Sequence, residues 1–370
     1  MTIHYTKGAL MKTYYIGADV HSNSTELAIE YNGNIIRRHG VPTAIPAIKE
    51  VLTSLGGKIR MTFEEGPMAG WLYRNLKDTV EEIIVCDPRR NKLICSDGDA
   101  DDTIDSGKLA TLLRGGFLRA IHHSDDEGRA EFKQWVSLYH DRVRDAVRMI
   151  NKIRARCRMY GIAIPRNVVR EKLQRPQWLA GIQNKALAAQ LEVLWIGYDA
   201  TASQVRRTKR QLCTLSKNYP IIKIWSDLPG IGSVRAVTVF AFLDTPWRFS
   251  RPNKLWKYCG VGLQRSASGT DKKGKPKPAR LQLAWAVNRL LKNVILSAAH
   301  TAINQNKNTF KDYYERMLYD GIMPSNARHA VARKMLTVMW GMWKTNSRFN
   351  EKLVKEVSLA AGSSLSATRR

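Results

Sequence analysis

The chain has 370 residues, of which 44% are hydrophobic and 25% charged, as in ordinary globular proteins of two or three domains. Its charge is unusual, because 60 lysines and arginines against 32 acids give a formal net charge of +28. A polyanion such as nucleic acid is therefore the expected partner. Five scattered cysteines exclude a disulfide framework or a zinc finger, and the absence of a long apolar run excludes a membrane partner.

The charges are distributed unevenly along the chain. Residues 14–125 hold 16 acids and 13 bases, whereas residues 251–292 hold 11 bases and the single acid Asp271. This asymmetry indicates that the first part gathers cations and the later part binds phosphate. With a cysteine usage that fits a reducing compartment, it favours a cytoplasmic protein associated with the nucleoid.

The first hundred residues alternate between strand and helix. Three strands are predicted at 14–20, 25–31 and 35–38, with the Asn32-Gly33-Asn34 turn between the last two. Helices and strands then alternate, with helices at 45–55, 68–77 and 102–113 and strands at 60–63 and 82–86. This order is typical of an α/β domain with an RNase H-like fold, which we expect over residues 14–125 after an N-terminal extension at 1–13.

The rest of the chain is predicted to be mainly helical. Apolar residues recur at three- and four-residue steps over 127–159, and Gly161 and Pro165 end this helix. A second helix over 177–215 is expected to pair with it as a coiled-coil-like hairpin, so that residues 126–217 form a linker. A mainly α domain with one irregular basic loop is expected at 218–353, followed by a disordered tail at 354–370.

Four carboxylates are placed where a metal site needs them. Asp19 lies within an apolar strand, where a charge is costly unless it is paired or bound to metal. Glu64 ends a second apolar strand, and Asp102 and Asp105 stand three residues apart on one helix face. Hard divalent cations prefer such oxygen ligands, and two of them can promote phosphodiester cleavage. For Asp102 and Asp105 a second explanation stays open, because acidic residues are also favoured at a helix N-terminus.

The second half contains features suited to phosphate binding. The turn from Leu228 to Gly232 is helix-hairpin-helix-like, and the N–H groups of Gly230 and Gly232 can contact phosphate there, although an ordinary interhelical turn has the same pattern. A basic loop follows, and two arginines of the first long helix are further candidates. The predicted nucleic-acid contacts besides the glycines are Arg265, Lys272, Lys273, Lys275, Lys277, Arg280, Arg148 and Arg154.

The segments 15–21, 63–67 and 102–110 resemble the three signature segments of DEDD transposases. These enzymes form the insertion-sequence family numbered one-hundred-and-ten, bridge-RNA-guided serine recombinases with a RuvC-like domain. The resemblance implies that four carboxylates are catalytic ligands of two Mg²⁺ ions, with Mn²⁺ as the alternative metal: Asp19, Glu64, Asp102 and Asp105. Segments 256–263 and 266–269 resemble the second conserved block, which implies that Ser268 is the nucleophile. Three alternatives stay open: Ser266 for Ser268, Glu65 for Glu64 and Asp101 for Asp102.

The same resemblance implies DNA cleavage and strand exchange through a covalent phosphoserine. The partners it implies are double-stranded target and donor DNA, a structured guide RNA, and further copies of the chain in a dimer or tetramer. Because the carboxylates and the serine lie in different domains, a composite site across protomers is expected. Two other functions fit the residues: a metal-dependent, structure-selective nuclease of the Holliday-junction-resolvase kind, and a non-catalytic nucleic-acid-binding protein.

Overall fold

The computed structural model describes residues 12–90, 102–266, 280–284 and 287–352. Its contacts divide the chain into two compact units between Ala130 and Glu131. In the described ranges no helix is both long and apolar enough to cross a bilayer. The N-terminal extension at 1–13, except its last two residues, and the whole of the predicted disordered tail at 354–370 lie outside those ranges, so these predictions remain predictions.

The first unit is built on a mixed five-stranded sheet. Its strands are β1 (Thr13–Val20), β2 (Ser24–Tyr31), β3 (Asn34–Pro42), β4 (Lys58–Glu64) and β5 (Glu82–Cys86). They lie in the order β3-β2-β1-β4-β5, with β1, β2 and β3 antiparallel and β4 and β5 parallel to β1. The predicted meander is confirmed, and β3 is longer than expected because its pairing with β2 continues to Pro42.

Helices of the first unit cover the sheet. They are α1 (Ile45–Thr53), α2 (Ala69–Leu76) and α3 (Asp102–Arg114), each close to its predicted bounds. The core consists of apolar side chains from strands and helices, including Ile16, Leu27, Ile48, Phe63 and Leu72, all nearly inaccessible to solvent. The α/β class of this unit is therefore confirmed.

The second unit is mainly helical. Its helices are α4 (Glu127–Arg158, with its first turn in the first unit), α5 (Arg166–Arg170), α6 (Arg175–Ala180), α7 (Lys185–Leu215), α8 (Pro220–Ser226), α9 (Ser233–Leu243), α10 (Pro252–Tyr258), α11 (Arg289–Asn304), α12 (Thr309–Tyr319) and α13 (Pro324–Thr345). The single helix predicted at 177–215 is wrong at its start, because Asn184 caps a separate helix through its side chain.

A two-stranded hairpin in the second unit was not predicted. Strands β6 (Leu263–Ser266) and β7 (Arg280–Leu283) pair antiparallel, with Leu263 opposite Leu283. The sequence predicts helices and an irregular loop over this stretch, because strands of four residues carry too little periodicity to recognise. The predicted basic loop at 271–280 lies between the two strands, and all of it except Arg280 is outside the described residues.

The two long helices α4 and α7 pack as an antiparallel pair. Arg142 donates to Gln204 at 3.3 Å, and farther along α4 the Met149 side chain covers Gly197. Residues Ile153 and Leu191, both fully buried, lie in the shared apolar cluster. A larger core around Trp225, Phe240 and Met339 holds helices α8 to α13 together.

A charge pair stabilises the end of this helical pair. Arg175 is 6% exposed and donates two hydrogen bonds of 2.7 Å to the carboxylate of Asp199, while its guanidinium lies over the ring of Trp195. The hydrogen bonds from Arg175 hold the pKa of Asp199 below its ordinary value of 3.8. A lowered carboxyl pKa stabilises the fold above the unfolded pKa, and that stabilisation is lost as the pH falls through the folded pKa.

We expect Asp199→Asn to lower the free energy of unfolding at pH 7 by about 1–2 kcal/mol, because a buried guanidinium loses its charged partner while Asp199 itself is partly solvated. The difference from the unchanged protein should shrink below pH 3.8, where the native carboxyl takes up a proton. Urea unfolding at several pH values measures both effects. Glu192→Gln removes an exposed carboxylate from the same helix and is the control; an equal loss in both variants would contradict this account.

Candidate metal centre and nucleic-acid interface

Two of the predicted carboxylates lie at the carboxyl ends of neighbouring parallel strands. In the β1–β4 pairing Gly17 is opposite Thr62 and Ala18 is opposite Phe63, so the next residues, Asp19 and Glu64, come side by side. Both are half-buried at the edge of the apolar core. The chain places them there because the preceding residues of each strand are buried and fix the register.

Helix α3 brings the other two carboxylates to the same face of the sheet. Gly17 lets the helix backbone approach β1, since a Cβ atom at this position would lie 2.0 Å from the carbonyl oxygen of Ser106. Side chains two residues apart on a strand point to the same face, so Asp19 also faces α3. Asp102 and Asp105 occupy the first turn of that helix and are close enough to affect the ionisation of Asp19.

His21, which is not among the ligands predicted from the sequence, joins this group. Its Nε2 atom lies 3.3 Å from a carboxylate oxygen of Asp19 and 3.3 Å from one of Asp102. Within the described residues, Asp19, His21 and Asp102 form a group whose candidate ligand atoms all lie within 4.8 Å of one another. One signal in the sequence pointed to His21: it lies two residues after Asp19, a spacing that puts both side chains on one side of an extended chain.

The electrostatics of this group favour a cation. Burial raises the pKa of the Asp19 carboxyl above its usual value, His21 opposes this rise, and the carboxylates of Asp102 and Asp105 add to it. The charge of Asp19 in turn raises the pKa of His21, with a contribution from Asp102. Partly buried carboxylates that repel one another are stabilised by a bound cation, and oxygen donors suit Mg²⁺ or Mn²⁺.

The structure distinguishes Glu64 from its neighbour Glu65. The Glu65 carboxylate accepts a hydrogen bond of 2.7 Å from Nε2 of His123, whose side chain is only 13% exposed. Glu65 therefore has its own partner, and the β1–β4 register puts Glu64, not Glu65, beside Asp19. This arrangement supports Glu64 as the ligand, whereas the alternative of Asp101 for Asp102 lies outside the described residues.

Contacts at both ends of α3 fix the helix that carries Asp102 and Asp105. Near its start, Arg38 of β3 donates to the carbonyl of Thr103 and lies against Gly107. Near its end, the fully buried Glu30 of β2 accepts hydrogen bonds from Thr111 and Arg114. Sequence reasoning missed Arg38 and Glu30, because each acts through a partner more than sixty residues away in the chain.

The glycine turn of the second unit connects α8 and α9. Gly230 is buried with φ +79°, and its N–H donates to the side-chain oxygen of Gln305 at 3.0 Å. A Cβ at this position would lie 2.2 Å from the carbonyl oxygen of Ala298, so packing alone requires this glycine. Gly232 is exposed and precedes the first turn of α9, where backbone N–H groups lack helical acceptors.

The other predicted contact residues are only partly described. Arg265 is exposed on β6, Arg148 is exposed and 3.2 Å from Asp145, and Arg154 is half-buried on α4. Arg280 begins β7, and its side chain lies outside the described residues, as does that of Ser266. The residues of the loop itself also lie outside them: Ser268, Lys272, Lys273, Lys275 and Lys277.

Comparison with known proteins finds similarity to one family of transposases. Residues 223–315 match the protein-family model described as "Transposase IS116/IS110/IS902 family". The chain is also 24% identical over 162 residues to a protein of Streptomyces coelicolor named "Insertion element IS110 uncharacterized 43.6 kDa protein". That match covers 44% of this chain and 38% of the relative, so the chain spans well under half the length of the curated relative it matches. These matches confirm the resemblance found in the sequence: residues 223–315 are similar to the IS116/IS110/IS902 transposase family.

Proposed function

We propose that this chain is a transposase that cleaves and rejoins DNA for the mobility of an insertion sequence. The observation that carries the proposal is the convergence of Asp19, His21 and Asp102, with Asp105 nearby and Glu64 at the neighbouring strand end. The family matches supply the reaction class. The net charge of +28 fits a chain that binds a polyanionic substrate.

The first unit is the part we assign to metal binding. Its strand order β3-β2-β1-β4-β5, with an antiparallel meander followed by parallel strands, supports an RNase H-like fold of the RuvC type. The carboxylates of Asp19, Glu64, Asp102 and Asp105 fit Mg²⁺ because they are hard oxygen donors that repel each other in its absence. Bound Mg²⁺ would supply Lewis acidity and stabilise charge on a phosphodiester.

The protein's own residues then have separate roles. Asp19 and Glu64 lie on neighbouring paired strands, so they would fix where the metal binds relative to the sheet. Arg38 would hold the first turn of α3 in place. The Ser268 hydroxyl oxygen would attack the DNA phosphorus, forming a phosphoserine bond while the deoxyribose oxygen leaves with a proton. Reversal of this step with a second DNA end restores Ser268 and a continuous strand.

A guide RNA and an assembly of several copies complete the proposal. If base pairing with RNA selects the DNA, the protein contacts backbone and shape, which agrees with basic residues spread over both units. Exposed bases on α7 and in the turn that follows it add to those predicted from the sequence: Arg206, Lys209, Arg210 and Lys217. Donor and target DNA must meet in one complex, so we expect a dimer or tetramer.

A denaturing gel tests the nucleophile directly. The purified protein is incubated with Mg²⁺, RNA from the flanks of its element and labelled cognate DNA. We expect a covalent protein–DNA adduct that is lost in Ser268→Ala, with Ser266→Ala as the matched control. Cleavage that survives Ser268→Ala without any adduct would instead establish the resolvase-like nuclease. If the unchanged protein did not cleave DNA at all, the non-catalytic nucleic-acid-binding protein would be the function that remains.

A further inference from the structure

One tryptophan of the second unit is unusually exposed. Trp247 is 71% exposed, the highest fraction of any tryptophan in the described residues, whereas Trp225 is fully buried. It lies in the single 3₁₀ turn Pro246–Arg248 between α9 and α10. A tryptophan side chain offers a large apolar surface, so an indole left in water contributes little to the core.

The turn that carries Trp247 is held firmly. The indole N–H of Trp340 on α13 donates to the carbonyl of Pro246 at 2.7 Å, and the Thr245 hydroxyl accepts from the backbone N–H of Trp247 at 3.3 Å. These contacts come from the neighbours of the Trp247 ring, not from the ring itself. The exposed indole is therefore presented by a fixed turn that does not depend on it.

A lysine links the two indoles. The Lys344 ammonium lies 3.8 Å from the ring centre of Trp340, one helical turn earlier, and 5.0 Å from that of Trp247. Cations near an indole face are attracted by the ring quadrupole, which keeps Lys344 beside the exposed ring. In the sequence around it, residues 240–260 contain four bases and one acid, Asp244.

We propose that Trp247 is a stacking platform for an unpaired base of a DNA strand, with Lys344 beside it to contact the adjoining phosphate. Proteins that bind single strands combine aromatic side chains with basic groups that follow the backbone, which is the combination present here. The positive surroundings disfavour a second copy of this basic chain as the occupant. DNA is the strand we assign, because the matched family is one of transposases.

Binding of fluorescent oligonucleotides to the full-length protein tests this platform without any recombination. At fixed salt, Trp247→Ala should weaken binding of a thymidine single strand by about 5- to 150-fold, the range measured for base–aromatic stacking. Trp247→Phe should retain most of the affinity. Duplex DNA of the same length should bind both variants within about twofold of the unchanged protein, because its bases are not free to stack.

Two controls keep the outcome interpretable. Tyr319→Ala removes another aromatic ring of the second unit that is 92% exposed, and we expect no change in binding. A strand with abasic sites should bind the unchanged protein and Trp247→Ala equally. Unchanged single-strand binding by Trp247→Ala would overturn the proposal. A change in the oligomeric state of this variant, measured by sedimentation, would also overturn it, because the surface would then bind a second copy of the chain. A larger loss with RNA than with DNA would overturn the assignment to DNA.

Discussion

Asp19→Asn is expected to abolish Mg²⁺-dependent DNA cleavage, with a rate at least about a thousandfold lower, because it removes the central ligand of the carboxylate group. The fold should survive. Burial and the nearby charges of Asp102 and Asp105 raise the pKa of Asp19, so its ionised form costs stability in the metal-free protein. We therefore expect a melting temperature equal to or above that of the unchanged protein without metal, and loss of the further rise that Mg²⁺ produces.

Thermal melts with and without Mg²⁺ separate this prediction from simple unfolding. Asp78→Asn, which neutralises an exposed acid of the same unit, should behave like the unchanged protein in both assays. The pair Glu64→Gln and Glu65→Gln makes the comparison sharper, since Glu64 lies beside Asp19 whereas Glu65 pairs with His123. Equal cleavage by Asp19→Asn and the unchanged protein would remove the metal centre from the proposed function.

The sheet of the first unit was predictable because its sequence is patterned at short range. The strands that carry Asp19 and Glu64 near their carboxyl ends show apolar runs, and the turn at Asn32 and Gly33 adopts positive φ, as such turns require. A charged residue inside an apolar strand is the kind of local conflict that marks a functional position. Asp19 could therefore be identified before its neighbours were known.

The parts that were missed depend on contacts between distant segments. Arg38 contacts the carbonyl of Thr103, and Glu30 accepts from Arg114, yet neither residue is unusual within its own strand. The four-residue strands β6 and β7 have too few positions to show a period. The packing of Gly230 against Ala298 also became visible only in three dimensions, and its predicted phosphate contact stays a prediction.

Gly17→Ala is expected to destabilise the first unit by about 3 kcal/mol or more, which places it among the most severe single substitutions in this chain. The added Cβ would lie 2.0 Å from the carbonyl oxygen of Ser106 and 2.5 Å from the backbone nitrogen of Ala110. These are backbone atoms of α3, so no side-chain rotation relieves the clash. The helix must move away from β1, and Asp102 and Asp105 must move with it.

This movement gives Gly17→Ala a double effect that distinguishes it from Asp19→Asn. Both variants should lose stabilisation by Mg²⁺, but only Gly17→Ala should melt at a lower temperature without metal, because only it disturbs the packing of α3 on the sheet. Gly56→Ala is the matched control, since nothing lies within 4 Å of its added Cβ, and it should be neutral or slightly stabilising. If Gly17→Ala melted like Gly56→Ala and still bound Mg²⁺, α3 would not set the spacing of the ligands, and the carboxylates of β1 and β4 would have to form the site without it.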